Sequence, residues 1–195
     1  MELLLPEYNI GYRDAPIDLN AVFGRHAPHV VEIGFGNGEL LIEMAASQPE
    51  TDFVGIEVHE PGIGRCLMEL DRKKLSNIRV ICHDAVEVLQ NQIPDGSLDG
   101  VYLFFPDPWP KKRHHKRRIV QADFVVLLAQ KINVGGLFRA ATDWAPYAGH
   151  IEATVAGNGS FEIAKIAPKD RCQTKFEQRG KRLGHTIWEH AYRRI

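Results

Sequence analysis

The chain has 195 residues, 44% hydrophobic and 25% charged, with a formal net charge of −1, ordinary values for one globular domain with a buried core. Its three cysteines (Cys66, Cys82, Cys172) are scattered and lack C-x-x-C spacing, which argues against a disulfide framework or a zinc site and for a reducing cytoplasm. No apolar run reaches the ~18 residues of a membrane span, and "MELLLPEYN" has no basic region before its leucines and meets Pro6 at once, unlike a signal peptide.

In chain order the periodicity alternates strand and helix. "HVVEIGFG" (29–36) is a strand ending in glycines and "GELLIEMAAS" (38–47) a helix. A strand over 52–58 and a helix over 62–75 follow, then a strand over 77–84 and a short helix, "AVEVLQNQI". After the turn "PDG" (94–96) comes a fourth strand, "SLDGVYLFFP" (97–106). "IVQADFVVLLAQKI" (119–132) has helical spacing, and "GGLFRAATD" (135–143) is a fifth strand after a Gly-Gly break. "WAPYAGHIEATVAG" is a helix, and the tail from "FEIAKI" to "HTIWEHAYRRI" holds two more strands, antiparallel. Buried, non-alternating strands separated by helices predict a parallel sheet covered on both faces. Ligands of such sheets sit beyond the carboxyl ends of the strands, beside strand one.

The charge is divided along the chain. Residues 1–110 carry 7 Lys/Arg against 18 Asp/Glu, and residues 111–195 carry 17 against 7. This suggests a cationic ligand for one half and a polyanion for the other, the alternative being that the charges mix on the folded surface.

Strand one runs into Glu32-Ile33-Gly34-Phe35-Gly36-Asn37-Gly38. The spacing is G-x-G-x-G rather than the dinucleotide G-x-G-x-x-G, and Glu39 would suit a pyrophosphate poorly, so Gly34, Gly36 and Gly38 point to a cofactor without phosphates. Three acids stand at strand ends. Glu57 is placed to accept ribose hydroxyls, Asp84 to reach an adenine amine, and Glu32 to face an ammonium or sulfonium. Together they describe S-adenosylmethionine; the alternative is that they only cap strand ends.

The segments "EIGFGNG", "GIEVHEPG", "NIRVICHDAVEVL", "LFFPDPWPKKRHHKRRIVQ", "ATDW" and "TKFEQRGKRLGH" together resemble the bacterial tRNA (guanine-N7-)-methyltransferase family, the TrmB type, from about residue 30 to the end. "EIGFGNG" alone marks only class I methyltransferases; "FFPDPW" with its basic run and "TKFE" are specific. The resemblance implies an α/β, Rossmann-like class I methyltransferase sheet, mostly parallel with an antiparallel C-terminal strand and helices on both faces. It implies one domain over 1–195, with an N-terminal arm (1–28) and a catalytic core (29–195). It further implies methyl transfer from S-adenosylmethionine to N7 of guanosine 46 in the tRNA variable loop. By resemblance Glu32, Glu57, Asp84 and Asp107 are cofactor contacts and Asp107 is also the active-site acid. Lys111, Asp143, Thr174, Lys175, Phe176 and Glu177 match substrate-binding positions, and Arg113, His114, His115, Lys116, Arg117 and Arg118 match the RNA-contacting segment. Two stretches depart from the family: it carries a longer basic N-terminal extension, and "APKDRCQ" is shorter than its Pro/Arg-rich loop. The departures bear on tRNA affinity more than on chemistry.

The residues themselves support that picture. Prolines on both sides of Asp107 stiffen its mount, Trp109 offers a flat face to an extruded base, and the basic run would hold phosphates. Asp143 is either a helix N-cap or a substrate contact, which its spacing does not separate. No spacing suggests a metal. The resemblance implies tRNA as the partner, the expectation is of no membrane and no metal, and the sequence leaves monomer and homodimer equally open. Rival functions are an exocyclic-amine RNA methyltransferase, disfavoured by a single proline after Asp107, and a non-catalytic tRNA-binding subunit of the same fold.

Overall fold

A computed structural model of the chain describes residues 5–165, 177 and 186–195. Among the described residues, seven strands, β1 (His29–Ile33), β2 (Asp52–Glu57), β3 (Ile78–Cys82), β4 (Leu98–Phe104), β5 (Ile132–Thr142), β6 (Phe161–Ile163) and β7 (Trp188–Arg194), form one sheet. Their order is β3-β2-β1-β4-β5-β7-β6. The first five are parallel and β7 is antiparallel to both neighbours, so the two tail strands are antiparallel as the sequence predicts. The order reverses between β1 and β4, which opens a crevice at their carboxyl ends.

Side chains alternate across the strands and build two cores. Val31, Ile33, Val54, Ile56 and Leu103 join one cluster with Phe124 and Leu128 of α6 (Ala122–Lys131) and Tyr147 and Ile151 of α7 (Ala145–Ala156). Val30, Phe53 and Phe104 join the other with Leu41 and Met44 of α3 (Glu39–Ser47) and Cys66 and Leu70 of α4 (Glu60–Lys73). The described residues before β1 form two short helices, α1 (Leu5–Tyr8) and α2 (Leu19–Phe23). They pack inward: Ile10, Ile17 and Leu19 lie in the first core, and Ile10 N donates to Val80 O at 2.9 Å along the β3 edge.

Several boundaries differ from expectation. β4 stops at Phe104 instead of residue 106, because Phe105 takes φ +54° and Pro106 has no N–H to offer a ladder. β5 begins at Ile132, ahead of the glycines. Leu98 pairs with Ile132 and Gly100 with Leu137, so the Gly-Gly break is a bulge within the strand. The helix expected over 119–132 starts only at Ala122, since Arg118 and Gln121 are extended. The short helix after β3 is one α-turn, α5 (Ala85–Glu87), running into a π-turn at Val88–Gln92.

Candidate active site

The crevice contains a cavity of about 460 Å³ lined by Gly34 after β1, Glu57 and Val58 after β2, His83 and Asp84 after β3, and Phe105, Pro106, Asp107 and Trp109 after β4. That volume falls in the range of small-ligand sites, about 300–1,000 Å³. Four strand ends thus deliver side chains far apart in sequence to one place.

The turn after β1 is left-handed at Gly34 (φ +70°), Gly36 (φ +58°) and Gly38 (φ +77°), a conformation that side chains beyond glycine resist. The three then serve different ends. Space where a Cβ of Gly34 would stand is open, and Gly34 lines the cavity. Gly36 N donates to Glu57 Oε2 at 2.8 Å. At Gly38 close packing also demands glycine, since a Cβ there would lie 2.3 Å from Cys66 Sγ.

The acids are equally differentiated. Glu57 accepts from Gly36 N through Oε2 and from Val58 N and His59 N through Oε1, at 2.7 and 2.9 Å. A carboxylate has about four acceptor sites, so Glu57 is fixed at the cavity wall with limited capacity left for ligand hydroxyls. Asp84 caps the following α-turn through Oδ1, which accepts from Val86 N and Glu87 N, and its Oδ2 is outside these bonds. Glu32 differs from expectation. It lies inside β1, paired with Gly55 and Tyr102, 4% exposed and away from the cavity wall. The alternation of β1 turns it to the α3/α4 side, where burial first and the Glu32 charge second push the Cys66 thiol up to about 12.

Asp107 is exposed at the cavity edge and its backbone is held from both sides. Phe105 N donates to Ala141 O of β5 at 2.7 Å, and Pro108 O accepts from Arg118 Nε at 2.8 Å. Phe105 (φ +54°) and Trp109 (φ +43°) are both in the left-handed region. Non-glycine residues there cost about 1–3 kcal/mol each and cluster at functional sites.

Beyond Trp109, the basic run forms a 3₁₀ turn over Lys112–Arg117 with Lys111 as its N-cap. Lys111, Lys112, Arg113 and Lys116 are exposed and form no ion pair among the described residues. Arg117 lines the cavity and lies 4.9 Å over the Trp109 ring, and His114 meets that ring edge-on. A Trp109 face expected to be open to a base is therefore shared with Arg117. Arg118 overturns its assignment to the RNA-contacting surface: it is 3% exposed and points into the protein. Asp143 is exposed and is not the N-cap of α7, a position taken by Trp144, whose N–H is accepted by Thr142 Oγ1. Glu177 is buried; Thr174, Lys175, Phe176 and the shortened stretch before them lie outside the described residues.

Sequence reasoning missed Val58, His83, Phe105 and Arg117 as cavity residues. Val58 and His83 flank acids already singled out, a signal that was present. The left-handed turn at Phe105 has no glycine to announce it. For S-adenosylmethionine the fit is sound: the open side of Gly34 gives close backbone access, Val58, 65% exposed, is an apolar face for a purine, and Glu57 and Asp84 are acceptors for hydroxyl and amine donors.

A seven-stranded sheet of this order, with a glycine turn and acids at the strand ends, defines a class I methyltransferase. Solved structures agree on the fold. An antibiotic-related methyltransferase superposes with TM-score 0.63 at 17% identity over 91% of this chain and 92% of its own. The 30S ribosomal A1408 methyltransferase from an uncultured bacterium does so at 0.62 and 11% over the same shares. A family model described as "Putative methyltransferase" matches residues 26–190. Curated relatives named tRNA (guanine-N(7)-)-methyltransferase from Yersinia pseudotuberculosis and Serratia proteamaculans are each 52% identical over 97% of this chain and 82% of their own length; one from Yersinia enterocolitica is 53% identical over the same shares. The chain belongs to the tRNA (guanine-N7-)-methyltransferase family.

Proposed function

We propose that the protein transfers a methyl group from S-adenosylmethionine to N7 of a guanosine in tRNA, position 46 of the variable loop. The observation that carries this is the convergence of Gly34, Glu57, Asp84 and Asp107 on one cavity with an exposed basic turn at its rim. The names of the curated relatives support the acceptor, and the sequence resemblance supports the position.

When bound, S-adenosylmethionine supplies a methyl group on a sulfonium. Glu57 and Asp84 hold the ribose and adenine, and Val58 covers the purine face. Glu32 supports the turn from the α3/α4 side of the sheet. Lys111, Asp143 and the Thr174–Glu177 segment bind the substrate nucleotide, while Lys112, Arg113, His114, His115 and Lys116 meet tRNA phosphates, a salt-sensitive contribution. Guanine N7 carries a free lone pair at neutral pH, so no proton has to leave before it acts as nucleophile, and strong general-base catalysis is unnecessary. Asp107 instead orients the guanine edge and stabilises positive charge as it develops on the purine.

The test is transfer of labelled methyl to unmodified tRNA, followed by digestion and nucleoside identification. We expect 7-methylguanosine, and a tRNA with 7-deazaguanosine at the target should bind yet accept no methyl. Methylation of that analogue, or label on an exocyclic amine, would overturn the N7 assignment.

A further inference from the structure

Arg118 ends a basic run, residues 111–118, that reads as one phosphate-binding surface, yet its surroundings are those of an interior side chain. It is 3% exposed. Its Nε donates to Pro108 O at 2.8 Å, and its guanidinium lies 4.9 Å over the ring of the fully buried Tyr147. Its backbone N–H closes the 3₁₀ turn on His115 O at 3.1 Å. The Gln121 amide donates to both His115 O and Arg118 O, at 2.9 and 3.1 Å. One residue therefore joins the basic turn, the Asp107 loop and α7, the helix that follows Asp143.

The contact to Pro108 O is specific in what it controls. That carbonyl belongs to the peptide between Pro108 and Trp109, one step past Asp107 and immediately before a residue held at φ +43°. A charge-assisted hydrogen bond there sets the plane of the peptide that the strained Trp109 would otherwise relax. A guanidinium can stack and donate at once, which an ammonium does not reproduce. Stability alone is a poor account of the choice. Arg118 Nη2 is buried with no hydrogen-bond partner among the described residues, and an under-satisfied buried cation is a weak stabilising device. Tyr147 reports the same neighbourhood. Burial chiefly pushes its phenol up; the Val120 N–H and the Arg118 charge pull it down, and Asp107 pushes it up again.

We propose that Arg118 is a positioning residue for methyl transfer, which acts through the Pro108 carbonyl to fix Asp107 and Trp109 in register with the basic turn, and not a tRNA phosphate contact. This rests on the methyl-transfer function proposed above.

The test compares the full-length protein with Arg118→Lys and Arg118→Met, and with a control in which Lys112, Arg113 and Lys116 are replaced by Gln. Single-turnover rates are taken at saturating methyl donor and tRNA, donor affinity by calorimetry, and tRNA affinity across a salt series. We expect both Arg118 variants to lose on the order of 10²-fold in rate, the scale of a misplaced reacting group. Donor affinity, tRNA affinity and the salt slope should stay at wild-type values. The control should lose slope by about 0.7–0.9 per phosphate contact removed. An Arg118 variant that loses slope like the control makes it a phosphate contact and overturns the proposal. So does a parallel collapse of rate, both affinities and thermal midpoint, or failure of Arg118→Lys to fold, either of which makes the role one of stability. If wild-type protein places no methyl on guanine N7, the proposed function falls, while the salt series still reports whether Arg118 touches phosphate.

Discussion

Asp107 is placed by its neighbours more than by its own carboxylate. The prolines on either side restrict φ, Phe105 and Pro108 are tied to β5 and Arg118, and two left-handed non-glycine residues bracket it. Such a mount favours orientation and electrostatic stabilisation, so the loss of the side chain should fall on the chemical step. Asp107→Ala should cost on the order of 10²–10³ in single-turnover rate at saturating substrates, by comparison with loss of one preorganised group elsewhere, while tRNA affinity holds. Asp107→Asn keeps the shape and removes the charge; if it retains the wild-type rate, charge stabilisation at the purine is not the role of Asp107. At this scale the sequence was legible where a residue type has one strong physical meaning, as with acid between prolines or glycine after a strand. It was illegible where burial reverses that meaning. Arg118 has the same sequence context as Arg117, and only the fold shows that one faces the cavity rim and the other the interior.

Among the elements, the contact between the glycine turn and α4 determines how firmly the cavity wall is built. A Cβ on Gly62 would lie 2.3 Å from Gly36 O and 2.9 Å from Gly36 C. Because the obstacle is backbone, rotation of a side chain cannot relieve it. Gly62→Ala should therefore destabilise by about 1–3 kcal/mol, the usual range of overpacking, despite the higher helix propensity of alanine. It should also weaken methyl-donor binding, since the displaced Gly36 N–H is the one that holds Glu57. A Cβ on Gly64, two residues along the same helix, would meet nothing within 4 Å, and Gly64→Ala should be neutral or stabilising by up to about 1 kcal/mol. Denaturant melts of the pair separate the two effects; equal shifts would mean the turn yields without cost. Strand and helix identities were legible from periodicity, since each buried strand is an apolar run between turn residues. Their ends were not. β5 starts early through a bulge and β4 stops early at a left-handed phenylalanine, both set by tertiary contacts.

Across the whole molecule the parallel order and its crevice were legible because strand-helix alternation leaves few topologies, whereas the burial of particular charges was not. Two histidines carry a consequence for stability. His29 opens the interior strand β1 and His190 lies in β7 near the antiparallel edge. Burial lowers the pKa of both from 6.5; Asp52, Asp99, the Ser97 carbonyl and Asp18 oppose it at His29, and Glu152 and Glu189 oppose it at His190. Nε2 of each has no hydrogen-bond partner among the described residues, so neither imidazolium would find its second donor satisfied. The unfolded chain therefore binds more protons than the native state from just above the unperturbed value downward. The native state is not penalised well above pH 6.5; it loses stability as pH falls past the unfolded pKa, and the loss levels off below the folded pKa. The thermal midpoint should accordingly fall between about pH 7.5 and about pH 5.5, before most carboxylates with ordinary values titrate. A His29→Gln, His190→Gln double variant should show a flatter profile over that window whatever its absolute stability. If the double variant keeps the wild-type slope, the acid sensitivity belongs to other groups and the two buried imidazoles do not set it.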